Sequence, residues 1–83
     1  MRYTVGWLPG AVDELARIWS EAVDRQAVSR AADQIEVLLR TSSQVRGDNG
    51  EGIYEFTVFP LTVIFEVSPD DRKVTVLEVF HLL

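Results

Sequence analysis

Hydrophobic and polar positions alternate at the start of the chain. Tyr3, Val5 and Trp7 point one way and Arg2, Thr4 and Gly6 the other, the period of two that marks a half-buried strand. Pro9 then suits the first position of a helix, where its fixed φ helps and its missing N–H costs nothing. From there the period lengthens. Val12, Leu15, Ala16, Trp19 and Ala22 or Val23 recur at spacings of three and four, one apolar stripe on a helix running to about Ala22. Asp13 and Glu14 fall in its early turns, near the positive end of the helix dipole. Asp24 predicts the N-cap of a second helix whose stripe is Val28, Ala31, Ala32, Ile35, Leu38 and Leu39. Glu36 and Arg40 stand on it at i, i+4. The short joint around Asp24 implies an antiparallel helical hairpin.

Thr41 to Gln44 ends the second helix, and Gly47 to Gly52, with three glycines in six positions, predicts a loop. Ile53–Val58 and Leu61–Val67 are rich in β-branched and aromatic residues, with a tight connection expected at Phe59-Pro60. Ser68-Pro69-Asp70-Asp71 is a turn signal. Val74–Phe80 reads as a last strand, apolar on both faces and therefore central in its sheet. The order β-α-α-β-β-β predicts a two-layer α+β domain over residues 1–83: a helical hairpin on one face of an antiparallel-rich four-stranded sheet. Neither an internal repeat nor a linker is visible.

Composition fits that picture. At 83 residues, 47% hydrophobic and 25% charged, the chain suits one folded domain and not a fibrous or disordered class. It has no cysteine, which excludes disulfides, Cys-ligated zinc and a thiol nucleophile. The N-terminus lacks the apolar run of a signal peptide, and no stretch approaches the roughly 18 apolar residues of a membrane helix. A cytoplasmic location is the expectation.

Charge narrows the choice of partner. The net charge is −5, and residues 47–71 carry six carboxylates with no Lys or Arg. Phosphate backbones are held chiefly by basic side chains, so this segment disfavours nucleic acid.

Local motifs for chemistry are sparse. The glycine-rich loop opens no helix and contains no Lys, so it is no phosphate cradle; it also lacks the register of a calcium loop. Glu55 and Glu66 lie on neighbouring strands, either as an acid–base pair or as solvated outward-facing carboxylates. His81, the chain's one histidine, has an imidazole suited to general acid or base work, but catalysis requires partners converging on it. No metal or cofactor set is expected.

Two stretches carry a resemblance. Tyr3-Thr4-Val5-Gly6-Trp7-Leu8-Pro9-Gly10-Ala11, followed by Leu15 and Ile18-Trp19, resembles the opening of the RelE/ParE toxin superfamily, whose first strand ends in W-x-P-x-A. Leu61 to Val67, the Asp70-Asp71 turn and Val74 to His81 are similar to that family's closing R-V-x-Y-x-V…D-D…V-x-V-L-x-V-x-H. Together they span essentially the whole chain. The resemblance implies the toxin half of a type II toxin–antitoxin, or plasmid stabilisation, pair that a cognate antitoxin wraps and silences. RelE-like members cut mRNA on the ribosome; ParE-like members inhibit DNA gyrase. The cleavage needs a base for the ribose 2′-hydroxyl, an acid for the leaving oxygen and a cation for the phosphorane.

Carried over by position, the resemblance implies His81 as a catalytic histidine and Arg46 as a basic residue preceding the meander. The sequence departs from the pattern elsewhere. Thr62 stands where the family has an arginine, Leu82 where it has a tyrosine, and Glu55 to Thr57 contain no basic residue. Three readings follow: a toxin-fold protein acting by protein binding, an endoribonuclease (mRNA interferase) using His81 with Arg46 or Arg72, or a homodimeric structural module. A partner segment would add a strand at the sheet edge or lay a helix on apolar surface, with Phe80, Leu82 and Leu83 as one candidate patch.

Overall fold

The structure, a computed structural model, describes residues 2–42, 44–46 and 52–82. Its elements are β1 (Thr4–Trp7), α1 (Pro9–Glu21), α2 (Arg25–Thr41), β2 (Gly52–Val58), β3 (Leu61–Ser68) and β4 (Lys73–His81). These are the expected elements in the expected order, with ends shifted by a residue or two. Of the glycine-rich loop, Gly52 opens β2, and residues 47–51 lie outside the described residues, as does Leu83.

The strands form one mixed sheet in the order β1-β4-β3-β2. The last three are the antiparallel meander that the sequence predicts, and β1 joins it parallel to β4. β4 is therefore central, as expected, but for a different reason than apolar residues on both faces. The register passes from Ile64↔Glu78 to Phe65↔Val76, so Leu77 is the extra residue of a bulge. The bulge resets the alternation. Val74, Val76 and Val79 are all buried, although strict alternation would send Val79 to the opposite side.

Both helices cover one face of the sheet. α1 lies chiefly against β4, and α2 against β2, β1 and β3. Pro9 occupies the start of α1. Asp24 caps α2 as predicted, its carboxylate accepting from the Ala27 amide at 3.1 Å. Val28, Ala31, Ile35 and Leu39 bury the predicted stripe of α2 against Val63, Phe65 and Val76 in one core. The Arg40–Glu36 pair also forms, at 3.6 Å.

Asp13 and Glu14 fall in the early turns of α1, past its first turn, and Glu14 accepts from Arg17 one turn further on. α1 departs from expectation in its apolar pattern: it has two stripes, not one. Ala11 and Ile18 are buried, with Leu15 and Ala22 packed beside them, whereas Val12 is 50% exposed and Trp19 43%. The predicted stripe mixed residues from both, and the core took the face containing Ile18.

Candidate functional site

β4 delivers His81 to the end of the sheet, beyond the short β1 that pairs with Lys73 to Val76. There α1 runs alongside. Glu14, Arg17, Ile18 and Glu21 from α1 line, with Phe80 and His81, a recess of about 340 Å³. Its cation is already engaged. Arg17 Nε donates to Glu14 Oε1 at 3.1 Å and Nη1 to Glu21 Oε1 at 2.9 Å, and Nη2 reaches Glu14 Oε2. Hydrogen bonding from Arg17 holds the Glu14 carboxyl below its ordinary value, and the same contact raises the guanidinium. The recess thus contains one imidazole, one guanidinium and two carboxylates that neutralise it.

Arg46 is elsewhere and differently occupied. It is buried, and its Nη1 donates to the carbonyls of Leu39 and Arg40 at 3.1 and 3.3 Å, two of the last acceptors of α2. Its guanidinium stacks on the ring of Tyr3 just before β1, whose Thr4 pairs with Lys73 at the start of β4. β4 has nine residues, so at about 3.3 Å per residue it separates Arg46 from His81 by roughly 25 Å. The structure does not bring the two together. Arg46 acts as a clasp between α2 and β1, and a guanidinium so enclosed is not positioned to meet a phosphate.

The face of the sheet turned away from the helices is where the meander's charge shows. Cross-strand pairing sets Glu55, Ile64 and Glu78 in one row and Ile53, Glu66 and Thr75 in the next. Glu55, Glu66 and Glu78 are exposed, and among the described residues no ion pair or hydrogen bond engages their side chains. Glu55 and Glu66 are therefore solvated neighbours on the open face, the blander of the two expectations. Thr62, standing where the resemblance places an arginine, shares a hydrogen bond of 2.8 Å with Thr57 Oγ1. Phe80 is 47% exposed beside it, and Leu82 is also exposed.

A second surface was hidden by the single-stripe reading of α1. Val12, Leu15, Ala16 and Trp19 face Val28 and Ala32 of α2 across an open groove of about 450 Å³. Trp19 is held in place by its indole N–H donating to Ser29 Oγ at 3.1 Å and by Arg25 over its ring at 4.9 Å. The signal was present in the residues. α1 has more apolar positions than one stripe can use, and Ile18 belongs to a different stripe from Val12, Ala16 and Trp19.

Among the described residues no cluster of His, Asp and Glu is arranged to hold a metal ion, and no helix is long and apolar enough to cross a membrane.

No family model matches the sequence, and no curated protein matches it. Solved structures do. A chain in the crystal structure of the archaeal RelE-RelB complex from Pyrococcus horikoshii OT3 aligns with a TM-score of 0.74 over 98% of this chain and 96% of its own length, at 16% identity. At that identity the match speaks to architecture, and the architecture is unambiguous: two helices on a four-stranded mixed sheet, the fold of a RelE-like toxin.

Proposed function

We propose that this protein is the toxin-fold component of a type II toxin–antitoxin pair and acts by binding protein, with the mRNA-cleavage chemistry lost. The observation that carries this reading is the open sheet face, where Glu55, Glu66 and Glu78 surround Ile64 with no basic side chain among them. RNA cleavage concentrates negative charge at phosphorus and requires a cation there. Carboxylates at this density repel the backbone before any chemistry begins. The structural likeness to a chain from a RelE-RelB complex supports an antitoxin-like protein as the partner. The groove between α1 and α2, floored by apolar side chains and marked by the fixed, half-exposed Trp19, offers such a partner helix a seat.

The test is induction of the protein in a bacterial host, alone and with the product of the adjacent reading frame, together with primer-extension mapping of ribosome-bound mRNA. Growth arrest without cleavage, relieved by the neighbouring gene product, supports the reading. A second reading, an active endoribonuclease, rests on the shared recess of His81 and Arg17. It requires cleavage that His81→Ala abolishes, and that result would replace the first reading.

A further inference from the structure

Helices cover one face of the sheet, and no described element covers the other. Apolar side chains are nevertheless spread across it. Ile53 is 62% exposed at one edge and Phe80 47% near the far end of β4, with Ile64 between them. Opposite residues on adjacent strands bring their Cβ atoms to about 5 Å. Glu55 and Glu78 thus flank Ile64 on its two sides, and Glu66 follows it on the same strand. Lys73 stands beyond this array, opposite Ser68.

Such a face selects its occupant. Backbone N–H and C=O groups lie in the plane of the sheet, free only along the outer edges of β1 and β2, so recognition on the face falls to side chains. An α-helix is the element that packs a stripe onto a sheet, as α1 and α2 do on the opposite side. A second copy docking by the same face would set carboxylates against carboxylates. Nucleic acid and anionic lipid are repelled in the same way.

We propose that the open face of the sheet docks an amphipathic, cationic helix of a partner protein, its apolar stripe on Ile53, Ile64 and Phe80 and its Lys or Arg side chains against Glu55, Glu66 and Glu78. The inference rests on the protein-binding reading above and specifies the chemistry of the partner. It adds a docking face opposite the groove between the helices.

The probe is a fluorescent helical peptide of leucine and lysine, about five turns long, with a leucine–glutamate counterpart and a single-stranded oligouridylate as the other arms. The full chain should bind the leucine–lysine peptide saturably and the other two weakly. Binding should fall by about tenfold or more in the E55K/E66K variant. It should hold in D13K/D70K, which changes the net charge equally away from the face. The neutral pair E55Q/E66Q gives a smaller loss in the same direction, and circular dichroism verifies the fold of each variant. Backbone amide shifts should change at Ile53, Ile64 and Thr75. Equal weakening by both lysine variants, shifts centred on Val12 and Trp19, preference for the oligouridylate, or no saturable binding would each overturn the proposal. The protein-binding reading fails on a separate result, His81-dependent cleavage of mRNA.

Discussion

The guanidinium of Arg46 lies 3.8 Å above the ring centroid of Tyr3 while donating to the carbonyls that end α2. A residue that by resemblance belongs to an active site is here the pin joining the end of α2 to the entry of β1. The backbone completes the joint, with the Tyr3 amide donating to the Arg40 carbonyl at 3.0 Å. Replacing Arg46 with alanine removes a buried stack and leaves two helix-terminal carbonyls without that donor. Arg46→Ala should destabilise the fold by about 2–4 kcal/mol, read as a lower urea midpoint at unchanged slope. A stable variant would show that the clasp contributes little.

Gly52 opens β2 against Tyr54. A Cβ at Gly52 would lie 2.9 Å from the Tyr54 hydroxyl oxygen and 3.0 Å from its Cζ. The Tyr54 ring in turn packs on Phe65 at 5.9 Å between centroids, within the core. Gly52→Ala should therefore displace the ring and cost about 1–2 kcal/mol. Near-ultraviolet circular dichroism should report the displacement together with the loss of stability.

Arg72 has a φ of 48°, in the left-handed region, at the turn between β3 and β4. Its carbonyl accepts from the Thr4 amide at 2.9 Å, which ties the strained residue to the pairing of β1. Glycine adopts this conformation without the Cβ clash, although it adds freedom to the unfolded chain. Arg72→Gly should raise stability by about 0.5–1 kcal/mol, measured as a shift in the denaturant midpoint. Arg72→Val, β-branched and equally uncharged, should lower it.

The recess beside His81 should leave a trace in acid. Glu14 has its carboxyl held below the ordinary value of 4.5, first by the hydrogen bond from Arg17. A group depressed in the folded state contributes stability above its unfolded value, and the contribution is lost as pH falls through the folded value. The stability difference between wild type and Glu14→Gln should be constant above pH 4.5 and shrink below it. The pair is solvent-exposed, so the difference should be small and should narrow further in high salt. A difference that widened as pH fell would refute this account of the contact.

Local pattern carries furthest where one element answers to one requirement. Asp24, followed by a regular stripe on α2, specifies a capped helix with one buried face, and that is what forms. Pattern fails where two neighbours compete for the same residues. α1 has apolar residues on two stripes, and contact with β4 decides that Ile18 goes inside and Trp19 stays half outside. The candidate site divides in the same way. That the meander is acidic is visible in composition, but the grouping of Glu55, Glu66 and Glu78 around Ile64 depends on the register of three strands.

From the chain alone came the element types, their order, the two-layer class and the deficit of cations across the meander, because periodicity and charge are local properties. Tertiary structure alone decided that β1 pairs parallel with β4, that a bulge at Leu77 resets the alternation, and that Arg46 is walled in far from His81. Each of these joins residues distant in sequence, and such contacts are set by the competition of whole surfaces for burial, which no window along the chain contains.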